Sequence, residues 1–150
     1  MRKTVIFAVY GDPRGKARPR FDSRHRRTFT PKATQDYEKK IREAYLQEAR
    51  QYEMEEDSVS PSLLQGPLYM VITAGFRIPK SASKIRRAKM NDGQIRPTKV
   101  PDVDNIAKIV QDALNGYAYK DDAQIVQLLV DKHYTKEDPY VAVMIEELLE

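Results

Sequence analysis

The sequence predicts a single α+β domain over residues 1–150, with the element order β-α-β-α-β-β and helices packed on a mixed four-stranded sheet. Three observations predict this class. A chain of 150 residues has the usual length of one domain, and a hydrophobic content of 41% is enough to build its core. Four segments are rich in β-branched and aromatic residues, and two others repeat apolar residues at helical spacing.

The first half of the chain contains a strand, a basic arm and a helix. Residues 4–10 are β-branched and aromatic and end at the turn residues Gly11-Asp12-Pro13, which predicts a buried strand. Residues 11–30, called the basic arm below, are predicted to be a loop. Pro31 suits the first position of a helix, which its apolar stripe continues to about residue 50. Residues 53–65 are acidic and contain Ser and Pro, which predicts a linker.

A second strand, a long excursion and a second helix follow. Residues 67–77 form another apolar run and predict a strand. Residues 79–99, called the basic loop below, are a long excursion in which a short helix is predicted over 81–90. Either Asp102 or Asp104 caps the next helix, whose apolar residues all lie on one face.

The end of the chain is predicted to return to the sheet. The second helix ends at Asn115-Gly116, a typical stop signal. Residues 123–134 and 139–145 are the third and fourth predicted strands. Only residues 135–138 separate them, and so short a connection predicts that the two strands form a hairpin.

Charge is unevenly distributed along the chain. The net charge is only +4, but residues 1–30 hold nine Lys and Arg against two Asp, and residues 77–99 hold eight against one. Two such stretches are typical of a protein that binds a polyanion, because each phosphate neutralised by a cation releases counterions. They favour nucleic acid as the partner over loops that serve solubility alone. The candidate DNA-binding residues are Lys16, Arg18, Arg20, Arg86, Arg87 and Lys99.

Carboxylates gather around the second predicted helix. Asp102 and Asp104 lie at its start, Lys108 follows Asp104 by one turn, and Asp121-Asp122 comes after a return segment. A helix of about 13 residues is about 20 Å long, and about six extended residues cover the same length backwards. The second acidic pair can therefore lie beside the first. A hard divalent cation such as Mg²⁺ would relieve the repulsion between these carboxylates.

Ordinary structural roles explain part of the same pattern. Asp102 and Asp104 can cap the helix and complement its dipole. Lys108 can form an exposed ion pair with Asp104 or Asp112, which lie four residues away on either side. What favours a metal site is that the carboxylates follow directly on a strongly basic stretch. A metal beside phosphate-binding cations is what phosphodiester hydrolysis requires.

Other classes of protein are excluded or disfavoured. Without Cys there is no disulfide framework or thiolate metal site, and the N-terminal apolar run is too short for a signal peptide, so a cytoplasmic protein is expected. No segment is apolar enough to cross a membrane. An EF-hand loop from Asp102 would need Gly and Glu where Ala107 and Ala113 stand, and a Walker A loop ending at Lys16 would need Gly at Tyr10.

Several motifs resemble those of the RusA-like Holliday junction resolvases of bacteria and their prophages. They are Lys99-Val100-Pro101-Asp102-Val103-Asp104-Asn105-Ile106-Ala107-Lys108, then Asp112-Ala113-Leu114-Asn115-Gly116, then Tyr119-Lys120-Asp121-Asp122-Ala123-Gln124-Ile125. The basic opening from Gly11 to Phe21 is similar to that of phage-type members. The element order agrees over nearly the whole chain, and the basic loop is longer and more basic than in compact members.

The resemblance implies a Mg²⁺-dependent endonuclease, with Mn²⁺ as an alternative ion, that acts as a homodimer and makes paired nicks across four-way DNA junctions. By position, Asp102, Asp104 and Asp122 are the implied metal-binding catalytic carboxylates, and Lys108 is the implied catalytic lysine. The implied reaction is in-line attack of a metal-activated water on a phosphodiester, with Lys108 stabilising the growing charge. Two sites in a two-fold dimer match the symmetry of a junction.

Two other functions stay open at this point. The first is a non-catalytic basic protein that binds structured DNA, in which the carboxylates serve only as helix caps. The second is a less selective metal-dependent nuclease that acts on flaps or single strands.

Overall fold

A computed structural model describes residues 3–52 and 63–148. The predicted linker over residues 53–65 lies mostly outside the described residues. The elements are β1 (Thr4–Tyr10), β2 (Arg20–Asp22), β3 (Arg27–Phe29), α1 (Lys32–Tyr52), β4 (Leu68–Arg77), α2 (Lys84–Asn91), α3 (Val103–Leu114), β5 (Ile125–Thr135) and β6 (Tyr140–Glu147). A single 3₁₀ turn, Asp122–Gln124, precedes β5.

The main sheet has four strands in the order β1-β6-β4-β5. Strand β4 runs parallel to β5 and antiparallel to β6, and β6 runs antiparallel to β1. The predicted α+β class and the mixed four-stranded sheet are therefore confirmed. All four predicted strands and both main predicted helices are present, with ends that differ by a few residues.

The predicted hairpin between the third and fourth strands is wrong. Strands β5 and β6 do not pair with each other, because β4 lies between them and pairs with both. Four connecting residues are enough to cross from β5 past β4 to β6, since strands two positions apart in a sheet are separated by only about 10 Å. In this central position β4 buries Leu68, Met70, Ile72 and Ala74 completely against the helices that cover the sheet.

The basic arm is not entirely a loop, which corrects a second prediction. It contains a small two-stranded sheet in which Arg20–Asp22 pairs with Arg27–Phe29. The turn is stabilised by Asp22, whose side chain accepts a hydrogen bond from the Arg24 backbone N–H at 3.0 Å and contacts the His25 ring at 2.6 Å. Each strand has only three residues and is mostly exposed, so no core-facing alternation marks it in the sequence.

Helices α1 and α3 cover one face of the sheet. The predicted apolar stripe of α1 is buried there through Tyr37, Ile41, Tyr45 and Ala49, and the Tyr45 ring meets Phe7 of β1 edge to face. Helix α3 buries most of the apolar face that its sequence predicts, through Ile106, Ala107, Val110, Ala113 and Leu114, and buries Ile109 as well. Val103, predicted to share that face, is 42% exposed because it lies in the first turn. The opposite face of α3 is left polar and accessible. No helix in the described parts of the chain is long and apolar enough to cross a bilayer.

The basic loop lies along β5, the outer strand of the sheet. Helix α2 forms its first half, as predicted, and is capped by the Ser83 side chain. The second half is attached by Arg96, which donates to the Lys132 carbonyl at 3.0 Å and to the Asp131 carboxylate at 3.1 Å. This loop therefore covers the second half of the exposed edge of β5, which would otherwise present unpaired backbone groups.

Candidate active site

The first turn of α3 carries two of the predicted site residues. Asp102 is the N-cap, and its side chain accepts a hydrogen bond from the Asn105 backbone N–H at 2.9 Å. Asp104 is the second residue of the helix and is exposed. Within the described residues its side chain makes no hydrogen bond or ion pair. The capping role foreseen for this pair thus falls to Asp102, and the Asp104 carboxylate is left to interact with solvent or a ligand.

The polar face of α3 continues from Asp104 through Lys108 to Asp112. The three residues are four apart and so lie along one side of the helix. The Lys108 ammonium is 3.8 Å from the Asp112 carboxylate, but its side chain is 62% exposed. Such an exposed pair holds the lysine weakly, by a few tenths of a kcal/mol, and leaves the ammonium accessible to an anion.

The segment after α3 turns back along the helix, as the distances predict. Gly116 adopts a φ of +82°, which a glycine reaches without strain at a helix end. Tyr119 is fully buried, and its hydroxyl donates to the Gln111 carbonyl of α3 at 2.8 Å. This anchor ties the return segment to the helix, so the second acidic pair arrives at a defined position.

The two residues of that acidic pair, Asp121 and Asp122, make different contacts. Asp121 caps the 3₁₀ turn by accepting from the Ala123 backbone N–H at 2.9 Å, and Gln124 completes the cap by accepting from the backbone N–H of Asp121. The backbone hydrogen bond from Ala123 is the main reason that the pKa of Asp121 is lowered. The Asp122 side chain takes no part in this cap and is hydrogen-bonded to the Asp121 side chain.

Asp122 is within electrostatic range of the polar face of α3. Its pKa is raised, first by partial burial and then by the neighbouring Asp121 and Asp112 carboxylates, while the Lys108 ammonium acts in the opposite direction. Asp122 therefore responds to charges at the middle of that face, whose first residue, Asp104, lies one turn before Lys108.

The predicted DNA-binding residues have unequal surroundings. Arg18, Arg20 and Arg86 are exposed, and the Arg86 side chain has no hydrogen bond or ion pair among the described residues. Arg87 instead donates to the backbone carbonyls of Lys80 and Ala82. The side chains of the two remaining residues, Lys16 and Lys99, contact other parts of the fold.

Lys99 lies against the sheet, with its ammonium 5.6 Å from the centre of the Phe76 ring. Lys16 is the least accessible of the six, since its side chain is only 16% exposed and contacts both Glu38 and Asp112. Lys99 is nevertheless exposed, as are the four arginines, so Lys16 is the one of the six that is shielded from a phosphate.

A cleft of about 480 Å³ opens beside the start of α3. Its lining combines cations of the basic arm with the segment that leads into the helix, including Arg14, Lys16, Arg20, Val100, Pro101 and Asn105. The start of α3 is thus bordered by a cleft to which Arg14 and Arg20 contribute positive charge.

The donor set around α3 suits a hard divalent cation. It consists of carboxylate oxygens, and no Cys is present in the chain. Within residues 3–52 and 63–148, no three Asp, Glu or His side chains are arranged as a metal site in this conformation. Mg²⁺ commonly uses only one or two carboxylates and keeps several waters, so the chemistry of the exposed Asp104 carboxylate and of its neighbour Asp102 fits such an ion.

Several residues of the site are not singled out by sequence motifs. Gln124 donates from its side chain to the carbonyls of Leu64 and Gly66, which ties the 3₁₀ turn to the segment before β4. Glu38 of α1 reaches the site by contacting Lys16. A glutamine following two aspartates at capping-box spacing is a usable signal. Glu38 offers none, because its partner is 22 residues away in the chain.

Comparisons with known proteins identify the family of the chain. The family model described as endodeoxyribonuclease RusA matches residues 10–146. A relative, the uncharacterized protein YqaN of Bacillus subtilis (strain 168), is 38% identical over 146 residues, which cover 96% of each chain. Both matches span the acidic turn of α3, the return segment and most or all of the basic arm. The chain therefore belongs to the RusA family of endodeoxyribonucleases.

Proposed function

We propose that this endodeoxyribonuclease is divalent-cation dependent and resolves four-way DNA junctions by paired phosphodiester hydrolysis, in DNA recombination and repair. The observation that carries the proposal is the polar face of α3, on which Asp104 is exposed and Lys108 is accessible, with the Asp122 carboxyl within electrostatic range of Lys108. Exposed carboxylates next to an accessible lysine, bordered by a cationic cleft, are the groups that hydrolysis of a DNA backbone requires.

In this proposal each residue has a separate task. Asp104 and Asp122, with Asp102, hold a Mg²⁺ or Mn²⁺ ion. When bound, that ion supplies Lewis-acid polarisation of the phosphoryl oxygen and a water of lowered pKa. Lys108 places its ammonium against the scissile phosphate and stabilises the negative charge that grows during the reaction.

The backbone of the site keeps these groups in place. Asp102 fixes the first turn of α3 through its cap to Asn105. The buried Tyr119 holds the return segment against the helix, and Gln124 holds the 3₁₀ turn that presents Asp122. Pre-positioning of this kind lowers the entropic cost of reaching the reactive geometry. The cations of the basic arm and basic loop bind the DNA backbone on either side.

A homodimer is part of the proposal, and the uncovered face of the sheet supports it. One row of apolar residues crosses all four strands there, because Ile6 pairs with Met144, Met144 with Val71, and Val71 with Leu129. Ile6 is 57% exposed and Leu129 46% exposed. A contiguous exposed apolar surface of this kind is typical of an interface. A two-fold dimer would carry two sites, one for each of two symmetric nicks.

The oligomeric state tests this face directly. Ile6→Lys combined with Leu129→Lys should convert a dimer to a monomer in light-scattering measurements, because it buries two charges in an apolar contact. Ile85→Lys is the matched control, since Ile85 is an apolar residue of α2 that is 72% exposed. The control should remain dimeric. A wild-type monomer at micromolar concentration would rule out the dimer.

Cleavage assays test the proposed reaction. A mobile four-way junction, a flap and a linear duplex are each incubated with the protein, with and without Mg²⁺. We expect paired cuts in the junction, far slower cutting of the other substrates, and none without the ion. Asp104→Asn should lower cleavage by at least about 100-fold while junction binding persists, because it removes a charged ion ligand without changing side-chain shape.

The adjacent acidic pair provides a matched control in the same assay. Asp122→Asn should also abolish cutting, whereas Asp121→Asn should retain it, because the amide oxygen can still accept from the Ala123 N–H. An equal loss of cleavage in Asp121→Asn and Asp122→Asn would argue against separate roles for these two residues. Mg²⁺-dependent cutting by Asp104→Asn at the wild-type rate would contradict the site assignment.

The same assay discriminates the two other candidate functions. Junction binding without cleavage under any metal condition would indicate a non-catalytic DNA-binding protein. Equal cutting of flaps and junctions would indicate a less selective nuclease. The chain has no Cys, and DNA is the proposed substrate, so we place its action in the cytoplasm.

A further inference from the structure

The basic arm makes an unusually close approach to α3 at Gly15. A Cβ atom added to Gly15 would lie 2.8 Å from the Asn105 Cβ and 3.0 Å from the Pro101 Cβ, closer than carbon atoms normally approach. The next residue is fixed as well, because the Lys16 backbone N–H donates to the Asn105 carbonyl at 3.1 Å. The arm is therefore docked on the first turns of the helix that carries Asp102 and Asp104.

Docking of the backbone directs the Lys16 side chain between the two helices. Its ammonium contacts the Glu38 carboxylate of α1 and lies 3.2 Å from the Asp112 carboxylate of α3. Its side chain is 16% exposed, and that of Glu38 is 14% exposed. Burial lowers the pKa of Lys16, but the two carboxylates outweigh this effect and leave the pKa raised, so the side chain is charged at neutral pH.

Lys16 and Lys108 share one acceptor. The same Asp112 oxygen, Oδ2, is 3.2 Å from the Lys16 ammonium and 3.8 Å from the Lys108 ammonium. Charges thus alternate along the row Glu38, Lys16, Asp112, Lys108. The shorter and more buried contact is the one to Lys16, and charge pairs strengthen as water is excluded.

We infer that Lys16 is a positioning residue that neutralises Asp112 and so keeps the Lys108 ammonium available to phosphate. This inference rests on the proposed function and adds a task for the basic arm inside the site. Without Lys16, an uncompensated Asp112 would draw Lys108 into its own ion pair. Lys108 would then meet the scissile phosphate less often, although the DNA would still bind.

Kinetics on the full-length protein separate this role from DNA contact. Lys16→Met should lower kcat for junction cleavage by about 10- to 100-fold, which is the range expected when a reactive group is misplaced. KM and the salt dependence of binding should stay near wild type. Lys39→Met is the matched control, because Lys39 forms an exposed ion pair with Glu43 on α1 and should not affect kcat.

A second substitution makes the test specific. Asp112→Asn removes the competing charge, so the Lys16→Met and Asp112→Asn double variant should recover most of the lost kcat. Loss of a phosphate contact or of fold stability would not be rescued in this way. Lys16→Arg keeps a cation between the carboxylates and should stay active. Unfolding midpoints of all variants should be measured alongside.

The possible results are distinct from those that test the proposed function. An inactive wild-type protein would overturn the proposed function itself. If wild type is active but Lys16→Met has an unchanged kcat, or a reduced kcat that Asp112→Asn does not restore, the positioning role is wrong. Should Lys16→Met fail to fold, Lys16→Gln replaces it in the same measurements, because the amide can still donate to Glu38 while the charge that neutralises Asp112 is removed.

Discussion

The basic arm and the basic loop carry similar positive charge but are attached to different parts of the fold. The arm docks on α3 through Gly15 and Lys16, next to the acidic turn. The loop lies along β5, to which Arg96 attaches it. The first contact shapes the reactive site, whereas the second covers a strand edge. A count of cations along the sequence does not distinguish the two tasks.

The cations within each segment are also divided between structure and solvent. In the arm, Lys16 is held by two carboxylates while Arg18 is exposed. In the loop, Arg87 is bound to backbone carbonyls while Arg86 is exposed. Each segment therefore uses some of its charge to fix its own position. The exposed remainder is what can neutralise phosphate.

A substitution at Gly15 should give the largest difference between the segments. Gly15→Ala forces the arm away from Asn105 and Pro101, so we expect about 10- to 100-fold slower junction cleavage. Gly93→Ala is the counterpart in the loop, where φ is +87° and no atom lies within 4 Å of the added Cβ. It should cost about 1 kcal/mol of unfolding free energy and leave cleavage unchanged.

Cleavage rates and urea unfolding of the two variants check this contrast. If Gly15→Ala cleaves junctions like wild type, the arm is not held against α3 in solution. If Gly93→Ala is the slower variant, the loop rather than the arm controls the site.

A smaller effect, on DNA binding, is expected from substituting Arg86 of the basic loop. Arg86→Ala should weaken junction binding and reduce the slope of log K against log salt by about 0.9, the loss of one phosphate contact. Arg87→Ala, in contrast, removes hydrogen bonds to Lys80 and Ala82 and should mainly destabilise the loop. Lys16→Met should leave the slope unchanged.

Binding titrations at several salt concentrations measure these slopes. An unchanged slope in Arg86→Ala would mean that α2 does not contact DNA. A reduced slope in Lys16→Met would show that Lys16 contacts a phosphate of the DNA. The basic arm and the basic loop would then not differ in the way proposed.

Much of the fold was predictable because its signals are local. The apolar periodicity of α1 and α3 predicts the faces they bury, and Asp102 and Gly116 mark the ends of α3. The return of the chain along α3 was predictable as well, since helix length and return-segment length are set by backbone geometry, whereas the meeting of Asp122 with Asp102 and Asp104 stays a prediction. The small sheet in the basic arm was missed because its exposed three-residue strands carry no such pattern.

Local sequence patterns predict most of the helices and strands, the cap of α3 at Asp102 and the family that the motifs resemble. Neighbouring residues control those features through backbone hydrogen bonds and side-chain spacing. The position of β4 between β5 and β6, and of Lys16 between Glu38 and Asp112, is visible in the folded chain alone. These outcomes depend on burial and on contacts between residues far apart in the chain, which no local pattern encodes.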